Sequence, residues 1–248
     1  MRMTRVFVDA ALEPGRELEL PAVAALHLTK VLRAGSGDAF TLFGGDGCEY
    51  PATITAVRGA RVSAVVGAGR AVDRESPLAV TLVQGVPRGE RMDLIVQKAT
   101  ELGVRRIVPV LSQRSGVRLD GEKAHARAQH WRAVAISACE QCGRNRLPDI
   151  ESPRPLLEVL GGAPGTGVRL LLDPDAPASA APAPLGAVAE AAEVAVGPEG
   201  GFTPAELEAF ALARYVPVRL GPRVLRAETA AIVALAWLQS RFGDLRDR

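Results

Sequence analysis

Little in this chain announces a chemistry outright. Of 248 residues only Cys48, Cys139 and Cys142 are cysteine, too few and too unevenly placed for a disulfide framework. Cys139 and Cys142 have CxxC spacing, yet no second pair or spaced histidine pair completes a four-ligand zinc set. Their place near the end of a long helical pattern suits thiols acting as small apolar side chains, so no metal is expected. No apolar run approaches the ~20 residues needed to span a bilayer, and Met1–Val8 has no secretory apolar core. The expected location is the cytoplasm, with no membrane partner. There is no GxGxxG and no GxxxxGK[ST], which weakens the dinucleotide and nucleotide-triphosphate readings. His125 and His130 lie on one basic helix with no evident nucleophile, so no Ser/His/Asp or Cys/His arrangement arises.

Net charge is only +2, which neither announces nor excludes a nucleic-acid partner, because a local patch is what counts. The cations are mostly arginine, suited to forked contacts with phosphate and carboxylate. An apolar fraction of 48% with 23% charged residues is ordinary for a globular chain.

The first 72 residues read as mostly β. Arg5–Val8, Ala39–Phe43, Ala52–Val57 and Arg61–Val66 alternate or cluster apolar residues between turns, with one helical segment at Ala22–Arg33. Short strands at this spacing suggest a small barrel. After the polar stretch Val72–Pro77 the rhythm changes. Leu78–Val86 is a nearly continuous apolar strand, and Glu90–Leu102 carries a helical stripe ended by Gly103. Further strands are expected at Arg106–Leu111, Val168–Leu172, Val194–Val196 and Tyr215–Leu220. Helices are expected at Gly121–Cys142, Pro155–Leu160, Pro184–Ala192, Pro204–Ala213 and Ala227–Phe242. Such alternation argues an α/β domain with a mainly parallel sheet.

Two strand-to-helix junctions near the C-terminus are the most informative feature: Val194-Ala-Val-Gly-Pro-Glu-Gly-Gly-Phe-Thr-Pro204 and Leu220-Gly-Pro-Arg-Val-Leu-Arg-Ala-Glu-Thr-Ala230. Ligands in open α/β sheets bind outside the carboxyl ends of the strands. Two matched glycine junctions there point to a ligand site. One carboxylate, Glu199, sits in the first loop. Glu228 and Thr229 suit a first-turn acid and a cap for the last helix. Arg226 is harder to explain, because a cation near a helix N-terminus opposes the macrodipole. A basic set at Arg2, Arg5, His27, Lys30 and Arg33, and polar residues at Glu140–Arg146, complete the candidates.

The chain resembles the RsmE-type methyltransferases of the SPOUT class. The resemblance rests on Arg5–Val8, His27 with Val31-Leu-Arg33, Met92 through Glu101-Leu-Gly-Val104, Glu140-Gln-Cys-Gly-Arg144 with Pro148, Gly197-Pro-Glu-Gly-Gly-Phe202 and Leu220–Thr229. It implies an N-terminal PUA-like β-barrel over 1–72 that binds RNA. A C-terminal SPOUT α/β domain with a trefoil knot would follow over 73–248. It further implies methylation of N3 of a uridine in 16S ribosomal RNA of the small ribosomal subunit, with S-adenosylmethionine (SAM) as cofactor and a homodimer as the working form. By matching positions, Leu172, Gly197, Pro198, Glu199, Gly200, Leu220, Gly221, Val224, Leu225 and Thr229 should line the cofactor pocket. Arg226, Glu199 and Arg144 are the expected catalytic residues. Arg5, His27, Arg33 and Arg144 are the expected RNA contacts. The helix Ala230–Leu238, with Ile232, Val233, Leu235 and Trp237, offers a dimer face. A ribose 2′-O methyltransferase, a non-catalytic RNA-binding factor and a nucleotide-dependent oxidoreductase stand as alternatives.

Overall fold

The computed structural model describes residues 4–117, 119–162, 167–177 and 190–246. Arg2 and most of the expected helix Pro184–Ala192 lie outside them. The fold is mixed α/β, in two compact units. One takes the described residues up to Glu75 together with Ile136–Leu147; the other takes Ser76–Ala135 and everything from Pro148 onward.

The first unit is built on a six-stranded sheet. Its order is Arg5–Phe7, Ala39–Phe43, Cys48–Arg58, Arg61–Val66, Glu17–Glu19, with Arg70–Ala71 pairing beside Cys48–Arg58. All pairings are antiparallel except that of Arg5–Phe7 with Ala39–Phe43. Alternation fixes the register: Tyr50, Ala52 and Ile54 are buried while Pro51, Thr53 and Thr55 face outward. A one-residue slip would invert every one of them. The expected helix Ala22–Arg33 is shorter than its pattern. It runs as α-helix over Ala22–Leu26, widens to a π-turn over His27–Val31, and gives way at Arg33, which has φ +55°.

In the second unit every strand pairing is parallel. The order is Arg154–Pro155, Arg106–Leu111, Ala79–Gly85, Ala191–Val196, Val168–Leu172, Val216–Val218, with Asp149–Ile150 beside Arg106–Leu111. Both faces are covered, which explains strands without polar alternation. On one face Val80, Leu82, Leu170, Val194 and Val196 meet Ile95, Val96 and Ala99 of helix Arg91–Glu101, together with Ala231, Leu235 and Leu238 of helix Ala227–Phe242. On the other, Val83, Val110, Leu171 and Ala195 meet Leu156, Phe202, Phe210 and Tyr215.

Helix Arg91–Glu101 ends as its sequence foretells. Gly103 has φ +75°. Its N–H bonds to Thr100 O at 3.1 Å and that of Val104 to Ala99 O at 3.0 Å, the paired bonds of a Schellman cap. Two expectations need correction. Ala191 and Ala192, read as the end of a helix, open the strand Ala191–Val196, because parallel pairing with Ala79–Gly85 overrides alanine's helical preference. Leu235, read as part of an exposed contact face, is fully buried, whereas Val233 is exposed. Helix periodicity turns the two to opposite sides.

Candidate active site

Three strands of the second unit end side by side at Leu172, Val196 and Val218, and the segments that follow them enclose a cavity of about 670 Å³. That volume lies within the usual range for small-molecule sites. Its wall includes Leu172, Val196, Phe202, Leu207, Val218, Leu220, Leu225 and Ala230, so its surface is largely apolar. The first wall is the loop Gly197–Gly201. A capping box anchors its far end: Glu206 N–H donates to Thr203 Oγ1 at 3.3 Å, and Thr203 N–H to Glu206 Oε2 at 2.8 Å. The second carboxylate oxygen of Glu206 accepts the Gln113 N–H at 2.8 Å, tying a third loop to the same point.

The near end of this wall depends on a residue with no side chain. Gly85, at the end of its strand, lies so close to the loop that a Cβ there would come within 2.5 Å of Pro198 Cδ and 2.7 Å of Pro198 N. Gly85→Ala must push backbone against backbone, a form of overpacking expected to cost about 1–3 kcal/mol. Urea denaturation would measure this, and an unchanged midpoint would contradict the fit.

Glu199 points toward Arg88 and Arg91. Its oxygens accept the Arg88 N–H at 3.1 and 3.3 Å, and the Arg91 guanidinium pairs with it directly. Burial pulls the Glu199 pKa up. Backbone N–H groups of Glu199 and Arg88 and the charge of Arg91 outweigh that and leave it below the ordinary carboxylate value. Arg91 also approaches Glu228 at 4.0 Å, so it fastens the first loop to the opening turn of the last helix.

The second wall is Arg219–Ala227. Gly221 sits there at φ +79°. Arg226 occupies the N-cap position of helix Ala227–Phe242, extended at φ −65° and ψ 154°, with no side-chain cap bond. Arg226 also lines the cavity, and the helix N-terminus goes uncapped by it. Thr229, expected as a cap, lies inside the first turn instead and is exposed.

Of the expected site residues, the cavity gathers Leu172, Gly197, Pro198, Glu199, Gly200, Leu220, Val224, Leu225 and Arg226. Gly221 and Thr229 are absent from its lining. Sequence reasoning missed Arg91, Arg114, Asp173, Asp175, Arg219 and Arg223, which also line it. Asp173 and Asp175 directly follow an apolar strand, the same signal that marked Gly197. Arg91 opens the helix after one other strand and Arg114 lies in the loop after another, and only strand order reveals their proximity.

Arg5 and Arg144 do not line the cavity; both belong to the first unit. The Arg5 side chain is 7% exposed and bonds Glu49 at 2.5 Å, Asn145 Oδ1 at 2.5 Å and Arg144 O at 3.1 Å. Arg144 is 5% exposed and pairs with Glu75 at 2.5 Å. Both guanidinium groups are engaged within the first unit. His27 and Arg33 are exposed.

The RNA methyltransferase domain family matches residues 74–239, the segment that carries every wall of this cavity. A ribosomal RNA small subunit methyltransferase E of Bacillus subtilis is 31% identical over 94% of this chain and 95% of its own length. The chain belongs to the ribosomal RNA small subunit methyltransferase E family. Another member, from Buchnera aphidicola, is 29% identical over 98% of both chains. The Neisseria gonorrhoeae family member, solved bound to S-adenosyl methionine, superposes with a TM-score of 0.87 at 36% identity, covering 99% of this chain and all of its own. A Legionella pneumophila structure with bound SAM gives 0.89 at 37% identity, covering 98% and 100%.

Proposed function

We propose that this chain methylates N3 of a uridine in 16S ribosomal RNA of the small ribosomal subunit, using SAM held in the cavity of the second unit. The observation that carries the reading is the cavity itself, with an apolar surface, two loop walls at strand carboxyl ends, and Arg226 in the rim. The residues fit such a group: Leu172, Leu220, Val224 and Leu225 offer apolar cover, and Gly197, Pro198 and Gly200 bring backbone close to the ligand. SAM supplies an electrophilic methyl group. The chain's own part is to exclude water, hold the loops and position the reacting base.

Uridine N3 must lose its imide proton to solvent as it attacks the methyl carbon. The resulting charge spreads onto carbonyl oxygens O2 and O4, the N3–CH3 bond forms as the S–CH3 bond breaks, and S-adenosylhomocysteine leaves. Arg226 is the cation placed to stabilise that charge. Glu199, with its lowered proton affinity and its anchorage to Arg88 and Arg91, suits holding the first loop rather than accepting the proton. Arg144, paired with Glu75 in the first unit, remains a proposed nucleotide contact.

The resemblance further assigns residues 1–72 to a PUA-like β-barrel and 73–248 to a SPOUT domain with a trefoil knot. The alternating antiparallel sheet of the first unit supports the former, and consecutive loops meeting at one cavity support the latter. RNA contact through His27 and Arg33, a homodimer, and action in the cytoplasm complete the reading. Incubating the protein with SAM and undermethylated small subunits, then digesting to nucleosides for mass spectrometry, tests it. N3-methyluridine is the expected product; a ribose-methylated nucleoside, or none, would overturn it.

A further inference from the structure

Five arginines and three carboxylates line the cavity. Much of this charge is already engaged. Arg91 pairs with Glu199 and Arg114 donates to the carbonyl oxygens of Gly200 at 3.4 Å and Phe202 at 3.2 Å. Asp173 Oδ1 accepts the Asp175 N–H at 2.9 Å, but both carboxylates keep their charge, so the lining as a whole carries an excess of two positive charges. Among the described residues, the side chains of Arg219, Arg223 and Arg226 have no hydrogen bond or ion pair, although the Arg226 carbonyl accepts the Ala230 N–H at 2.8 Å. All three are exposed and all belong to one wall, between strand Val216–Val218 and helix Ala227–Phe242.

This excess is at odds with the cofactor. SAM carries a sulfonium, an ammonium and one carboxylate, hence one net positive charge, so unpaired cations in its wall oppose its binding. They also weaken one another. An anion other than the cofactor accounts for them, and forked guanidinium groups fit the oxygens of a phosphodiester. Arg226 has its role at the reacting base; Arg219 and Arg223 have none.

We propose that Arg219 and Arg223 clamp a phosphate of the RNA substrate at the mouth of the cavity, and that this charge makes RNA and SAM binding reinforce each other. The inference rests on the methyl-transfer reading. An RNA phosphate on the two guanidiniums removes the repulsion that SAM meets in the empty enzyme, and such coupling is reciprocal by thermodynamic necessity. The signs follow. Added salt weakens RNA binding by counterion competition. The same salt strengthens SAM binding to the protein alone, because it screens repulsion between exposed charges. S-adenosylhomocysteine, with no net charge, lacks that second response.

Calorimetry on the full chain, with SAM, S-adenosylhomocysteine and oligouridylate as probes across a salt series, tests this. Arg223→Ala should weaken oligouridylate roughly tenfold, as loss of a charged hydrogen bond implies, and lower the salt slope by about 0.7. The same variant should bind SAM alone about two- to fourfold more tightly, and its SAM affinity should respond less to oligouridylate. Arg219→Gln with Arg223→Gln should enlarge each effect, and Arg223→Lys should keep the salt slope. An unchanged slope in Arg223→Ala and in the double variant, with SAM still bound, overturns the clamp alone. SAM affinity falling in parallel with RNA affinity overturns it too, since the arginines would then be serving the cofactor. Failure of the unaltered protein to bind SAM removes the methyl-donor reading beneath both.

Discussion

Arg226→Ala is expected to lower turnover by about 10²–10³-fold, the usual effect of removing one group that stabilises charge formed in the transition state. SAM affinity should stay near its original value. The split matters because Arg226 belongs to the same wall as the proposed cofactor contacts Leu225 and Val224. A residue that merely shaped the cavity would weaken both quantities together. One that acts only as charge develops lowers kcat and kcat/KM equally. Single-turnover kinetics beside calorimetry separates these outcomes, and a matched loss in both would return Arg226 to a packing role. Arg226→Lys should recover part of the rate, since the charge survives although the fork does not.

The second large effect concerns folding. Glu49 is 4% exposed and accepts from Arg5 at 2.5 Å, Arg74 at 2.6 Å and Arg70 at 3.4 Å. Glu49→Ala leaves Arg5 buried with its main counter-charge gone, a situation that costs about 3–5 kcal/mol. Urea denaturation should register the loss, and a change below about 1 kcal/mol would place the pair among ordinary surface bridges. The pH dependence has a definite sign. Burial pulls the Glu49 pKa up, but hydrogen bonds and charge from Arg74 and Arg5 hold it below its ordinary 4.5. Its contribution is therefore complete above that ordinary value and fades as pH drops through the lower folded one. Glu49→Gln should flatten this acid limb.

These two cases mark what the chain's letters can and cannot convey. Arg226 was legible because capping rules are local: a cation beside a helix start conflicts with its neighbours in sequence. The glycine loops were legible for the same reason, as strand, turn and helix follow within a few residues. The internal pairing of Arg5 was not legible because its partners Glu49, Arg144 and Asn145 are remote in the chain, and charge alone does not tell a solvated cation from a paired one. Arg91 was overlooked because its helix reads as an ordinary amphipathic one. Its role depends on Ala79–Gly85 lying next to Ala191–Val196 in the sheet. Leu235 and Val233 show the limit within a single helix: both are apolar, and only tertiary packing decides which side is covered.

The position of Ala191–Val196 also bears on how the chain is made. One edge of strand Ala79–Gly85 can pair early with Arg106–Leu111, but its other edge waits for a partner that emerges much later in synthesis. Until then a nascent chain presents an apolar strand with unpaired backbone, a template for wrong association. Non-local parallel pairing of this kind folds slowly. Cells producing this protein should therefore hold a population of newly released chains that depend on chaperones and have no formed cavity, since the strand that completes the sheet's centre also carries the cavity's first wall.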